Sequence, residues 1–127
     1  MVGGQAMSGP RAIVLFAHGS RDPAWRAPIE AVAERMRQIQ AGARVVCAYL
    51  ELTEPDLPST VNQLFAEGVR AITIWPMFLG TGRHAREDLP RLVEELRAQH
   101  PAVEFVLQPA IGEHPDVLET MARSALG

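Results

Sequence analysis

The chain has 127 residues, 47% of them hydrophobic and 21% charged, with a formal net charge of −3. All twelve basic residues are arginine, which excludes Schiff-base and pyridoxal phosphate chemistry and a phosphate-loop lysine, since each needs an ε-amine. The single cysteine, Cys47, excludes an internal disulfide, a CxxC pair and a thiolate cage for zinc or an iron–sulfur cluster, so a metal held here must rest on histidine and carboxylate.

The opening MVGGQAMSGP has neither the basic start nor the apolar stretch of a signal peptide, and residues 1–10 read as a flexible leader to one domain over residues 11–127. Arg11 to Ala17 is a nearly all-apolar run, the pattern of a strand covered on both faces. Asp22 then caps a helix with Pro23 at its first position. Ile29, Val32, Met36 and Ile39 follow at helical spacing, and Gly42 ends the helix. The second strand, Arg44 to Leu50, leads through Glu54 and Pro55 into a helix with Leu57, Val61, Leu64 and Phe65 on one face. Glu54 reads as the start of that helix, where a carboxylate meets the positive end of the dipole, and Gly68 ends it. A third strand, near Ala71 to Phe78, precedes a helix carrying Leu89, Leu92, Val93 and Leu96. A last strand, Val103 to Leu107, precedes a helix carrying Val117, Leu118 and Met121. Cys47, Trp75 and Met77 read as strand packing, and Trp25 as a surface or interface residue. His100 and His114, beside prolines at element boundaries, read as solvated or hydrogen-bonded.

Four strand–helix units in succession predict an α/β fold, a three-layer sandwich around a four-stranded parallel sheet, flavodoxin-like with strand order 2-1-3-4. The longest apolar run, Ala12 to Ala17, is too short to cross a bilayer, and the acidic balance argues against nonspecific nucleic-acid binding. The expectation is a cytoplasmic protein with neither a membrane nor a nucleic acid as partner.

In open sheets of this kind, ligands bind beyond the carboxyl ends of the strands. The first strand ends in Ala17-His18-Gly19-Ser20-Arg21-Asp22, with Gly19 read as a place where a ligand approaches the backbone. The second strand ends in Leu50-Glu51-Leu52-Thr53-Glu54-Pro55, and after the third comes Leu79-Gly80-Thr81-Gly82-Arg83-His84-Ala85-Arg86. A 2-1-3-4 order sets the first strand between the second and third, so His18, Glu51 and His84 can converge above its tip. Two imidazoles and a carboxylate suit a divalent first-row metal such as cobalt, nickel or iron, with positions left open for a substrate. Arg21, Arg83 and Arg86 flank the histidines with guanidinium forks that fit carboxylate or phosphate. The plainer reading of these residues is solvated loop histidines and ordinary surface charge.

AHGSRD, LELTEP and GRHAREDLP, in this order and spacing, resemble the short sirohydrochlorin cobaltochelatases, class II chelatases of the CbiX type, over about Ala12 to Gly112. These enzymes insert Co2+, Fe2+ or Ni2+ into tetrapyrroles on the routes to cobalamin, siroheme and related cofactors. The resemblance implies a chelatase-like single lobe in which His18 and His84 match the metal-binding histidines and Glu51 their acidic partner, all three also catalytic. It implies that the metal is substrate, with no cofactor permanently bound. It implies a homodimer as well, because the long forms hold two such lobes around one cleft. The histidine-rich segment and cysteine cluster of some longer relatives are missing from this sequence. On this reading Ser20, Arg21, Arg83 and Arg86, with the apolar Met77, Phe78 and Leu79, bind the tetrapyrrole. Two other classes remain: a protein that carries metal or tetrapyrrole without turnover, and a histidine phosphatase. The second would want arginine before the histidine, where this chain has Ala17.

Overall fold

A computed structural model describes residues 10–127, with the side chain of His84 outside the described residues. The elements run β1 (Arg11–Ala17), α1 (Ala27–Ile39), β2 (Val45–Tyr49), α2 (Leu57–Ala66), β3 (Ala71–Pro76), α3 (Arg83–Gln99), β4 (Glu104–Leu107) and α4 (Pro115–Leu126). The strands form one parallel sheet in the order β2-β1-β3-β4, as the repeated strand–helix pattern predicts. Apart from Pro10, whose carbonyl accepts from the Arg70 and Ala71 N–H groups, the expected leader falls outside the described residues.

Strand side chains alternate between two faces, which sorts the core into two layers. Val14, Phe16, Ile72 and Ile74 meet Leu57, Val61 and Leu64 of α2 and Leu89, Val93 and Leu96 of α3. Leu15, Val45, Trp75 and Met77 face the other way, against Ile29, Ala33 and Met36 of α1. Each fully buried leucine or isoleucine contributes about 2 kcal/mol, so this packing, rather than intrinsic propensity, holds the helices on the sheet. α4 has no buried residue, and its Leu118 is 56% exposed.

Two boundaries differ from the sequence expectation. The single helix expected from Asp22 onward is a short 3-10 turn over Pro23–Arg26, capped by the Asp22 carboxylate accepting from the Ala24 N–H at 2.9 Å, followed by α1. Pro28, in the first turn of α1, has no N–H to bond back to Ala24, so a continuous α-helix cannot form there. α2 starts at Leu57 and is capped by Asp56, which accepts from the Ser59 N–H at 2.8 Å, while Glu54 lies in the preceding loop. His114 caps α4, its Nδ1 accepting from the Asp116 N–H at 3.2 Å. Among the described residues, no helix is long and apolar enough to cross a membrane.

Candidate functional site

The loops that leave β1 and β2 are joined along their backbones. The Leu50 N–H donates to the Ala17 carbonyl at 2.9 Å, and the Glu51 N–H donates to the His18 carbonyl at 3.0 Å. One step further, the Ser20 N–H donates to Thr53 Oγ1 at 2.9 Å, and the Thr53 hydroxyl donates back to the Ser20 carbonyl. Gly19 permits this closeness: its φ is +100°, and a Cβ there would lie 1.7 Å from the Glu51 carbonyl oxygen. The neighbour that demands glycine is therefore the Glu51 backbone, and not a ligand as the sequence suggested. Leu52, at φ +63°, is a left-handed residue on the same loop that sequence reasoning missed.

His18 is exposed at the tip of β1, and its ring stacks on Phe78 with centroids 4.3 Å apart and an interplanar angle of 25°. Both line a cleft of about 340 Å³ whose apolar walls include Phe16, Leu50, Leu89 and Leu92. His84 is the second residue of α3, and its neighbours Arg83 and Ala85 line this same cleft. The first turn of α3 has neither a side-chain cap nor an acidic residue, so the positive end of its dipole is unopposed. The Glu51 side chain is exposed and lines an adjacent cavity with Leu52, Thr53 and Ser59. Among the described residues, no three His, Cys, Asp or Glu side chains are grouped to hold a metal, and the His84 side chain lies outside that set.

The arginines divide by location. Arg26, Arg37, Arg44, Arg91, Arg97 and Arg123 form ion pairs with carboxylates, Arg35 bonds Gln38, and Arg70 bonds backbone carbonyls. Arg11, Arg21, Arg83 and Arg86 have no ion pair or side-chain hydrogen bond among the described residues; Arg11 begins β1, and the other three lie at the carboxyl end of the sheet. Arg83 lines the His18 cleft, Arg86 lines a second cavity of about 230 Å³ on the β4 side of α3, and Arg21 lines neither.

A family model for CbiX matches residues 12–126. The chain belongs to the CbiX family. A CbiX protein of Marinobacter aquaeolei, known from its crystal structure, superimposes with a TM-score of 0.79 at 38% identity, over 92% of this chain and 94% of that one. The sirohydrochlorin cobaltochelatase of Methanococcus aeolicus is 37% identical over 82 residues, 65% of this chain and 57% of its own. This CbiX chain thus matches little more than half the length of that curated relative. The sirohydrochlorin chelatase SirB of Bacillus subtilis subspecies spizizenii, solved in complex with cobalt, shares the fold at 24% identity. Its TM-score is 0.74, over 92% of this chain and 50% of that one.

Of the residues expected at the CbiX substrate site, the structure brings His18, Phe78 and Arg83 into one cleft and sends others elsewhere. Met77 packs with Leu15 and Ile29 on the α1 side of the sheet, opposite to Phe78, because successive residues along an extended chain alternate. Leu79 is 74% exposed and lines no part of the cleft. The Ser20 hydroxyl accepts from the Asp22 N–H at 3.1 Å and ties the turn that follows His18. Phe16, Leu89 and Leu92 join the cleft although their spacing marked them only as strand and helix packing. A larger cavity of about 720 Å³, between α1 and β2, is lined by Arg37, Cys47, Tyr49 and Glu54 and shares no residue with the His18 cleft.

Proposed function

We propose that this CbiX chain is a class II chelatase that inserts a divalent metal into sirohydrochlorin or a related tetrapyrrole, working in the cytoplasm as a homodimer. Co2+ is the first choice of metal, with Fe2+ and Ni2+ as alternatives; the metal is substrate and no cofactor is permanently bound. The observation that carries this reading is the His18 imidazole stacked on Phe78 in a largely apolar cleft that is also lined by Arg83 and Ala85, the helical neighbours of His84 in the first turn of α3.

Insertion replaces two pyrrole N–H protons with a dication, so the site must hold the metal, accept protons and orient a flat macrocycle. An imidazole is mostly neutral at neutral pH and can both ligate a metal and take up a proton. His18 and His84 present the metal to the face of the ring. Glu51, on the loop bonded to the His18 backbone and open to water, completes the ligand set or passes protons outward. Arg21, Arg83 and Arg86, which lack carboxylate partners among the described residues, meet the peripheral carboxylates of the substrate; their exposed positive charge is how an acidic protein attracts a polyanion. The homodimer is supported by Leu50, an apolar lining residue of the cleft that is 46% exposed. A lone thiol such as Cys47 accords with a reducing compartment.

The test is to incubate the purified chain with Co2+ and sirohydrochlorin and follow the visible spectrum of the ring, alongside His18→Ala and His84→Ala. Wild type should exceed the spontaneous rate, and each variant should lose activity by about 100-fold. Full activity in both variants would refute the assignment, and stoichiometric binding without insertion would identify a delivery protein.

A further inference from the structure

We infer that α3 divides two carboxylate subsites, one served by Arg83 in the His18 cleft and a second built from Arg86, Gln108 and Thr81 on the β4 side. The inference rests on the chelatase reading and assigns the second subsite to a carboxylate arm of the macrocycle held in the first. The two cavities share Ala85 and Leu89 in their linings, so they are neighbours across the start of α3. The second is framed by Pro76, Leu107 and Pro109, with Thr81, Arg86 and Gln108 as its donors.

This groove is held by backbone contacts. The Gln108 N–H donates to the Ile74 carbonyl at 3.0 Å, and the Gly112 N–H donates to the Phe78 carbonyl at 3.0 Å. Gly112 is buried so close to the preceding loop that a Cβ would lie 2.3 Å from the Leu79 carbonyl oxygen. The loop after β4 is thus pressed onto the loop after β3, which presents Thr81 and Gln108, both half-buried, to the same space as Arg86. None of the three side chains makes a hydrogen bond or ion pair among the described residues. A guanidinium fork, an amide N–H and a hydroxyl together match the two oxygens of a carboxylate. Glu113 also lines the groove, and its charge opposes an anion.

The experiment is a titration of the chain with metal-free sirohydrochlorin, read by tryptophan quenching, beside the Co2+ insertion assay. Arg86→Ala and Gln108→Leu should each raise Kd about tenfold, because each removes a hydrogen bond to a charged oxygen. Gln108→Glu should raise it further, and Glu113→Gln should lower it. Arg86→Ala with Gln108→Leu should lose less than the product of the single effects, as expected for one shared carboxylate, while Arg83→Ala with Arg86→Ala should multiply to within about twofold. Circular dichroism and melting curves identify any variant that misfolds, and Arg86→Lys, which keeps the charge without the fork, should recover part of the affinity. Coupling between Arg83 and Arg86, or a Gln108→Leu Kd equal to wild type, would overturn the second subsite even where insertion proceeds normally. Binding that obeys this pattern without insertion would keep the subsite and overturn the chelatase reading.

Discussion

Gly19 sets the distance between the loop that carries His18 and the loop that carries Glu51. Its φ of +100° strains any L side chain, and the overlap of a Cβ with the Glu51 carbonyl forces the two loops apart. Gly42, at φ +88° with no atom within 4 Å of a Cβ, separates conformational strain from that clash. Gly42→Ala should therefore cost about 1–2 kcal/mol of unfolding free energy in urea, and Gly19→Ala distinctly more. Equal losses would mean that the loop contact contributes nothing. Tyr49, the single tyrosine, is 2% exposed, with its hydroxyl buried beside Cys47. Burial, reinforced by neighbouring Cys47 and Glu30, pushes its ionisation up to about 12 from an ordinary 10. Below pH 10 the phenol is protonated folded or unfolded, and its contribution is intact; between about 10 and 12 only the unfolded chain ionises, so stability falls across that window. Phenolate absorbance in the folded protein should rise near pH 12, and a rise near pH 10 would show the ring to be solvated. At this scale the placement of His18 and Glu51 just past strands and of His84 at a helix start was legible, because apolar runs and glycine-loosened loops mark those boundaries. The separation of Phe78 from Met77 and Leu79 was missed, because the three were read as one apolar run although neighbours along an extended chain face opposite ways.

α3 is the element on which the proposed chemistry depends most, and its start is held loosely by its own backbone. Pro90, eight residues in, has no N–H to give the Arg86 carbonyl, and Gly82 offers no side chain to cap the free N–H groups of the first turn. What holds Arg83 to Leu89 in place is packing, chiefly the buried Leu89 and the half-buried Ala85 against the core. Pro90→Ala restores the missing donor and should stabilise the chain by about 1–3 kcal/mol in urea unfolding. A loss of stability instead would show that the exposed proline ring does more for this helix than its hydrogen bond would. The helices themselves were readable from leucine spacing and terminal glycines. The cap of α2 was not, because Glu54 and Asp56 are both acidic residues ahead of a proline, and only the folded loop decides which carboxylate reaches the Ser59 N–H. The same holds for the split before α1, where Pro23 and Pro28 each suit a helix start.

At the scale of the whole molecule, the parallel order β2-β1-β3-β4 brings three strand ends to one edge of the sheet, and it is the order of the flavodoxin-like class that the four strand–helix units suggest. What pattern could not show is where this edge is left uncovered: Leu50 in the cleft, Leu52 in the adjacent Glu51 cavity and Leu79 on the loop after β3 are 46%, 54% and 74% exposed. A binding site usually buries most of its ligand, and a cleft of about 340 Å³ leaves much of a tetrapyrrole in water. In the proposed homodimer the partner copy completes the enclosure, and these exposed leucines are the surface offered for its contact. Burying a leucine contributes about 1.5–3 kcal/mol, so replacing two of them with charge should raise the dimer dissociation constant by about 100-fold or more. Sedimentation should accordingly find two copies in the wild type and one in a Leu52→Asp, Leu79→Asp double variant, with the circular dichroism spectrum unchanged because neither side chain belongs to the core. Insertion activity should fall with the dimer and return as protein concentration rises. A double variant that stays dimeric would move the interface away from the cleft, and a monomeric wild type with full activity would show that one copy encloses enough of the ring to do the chemistry.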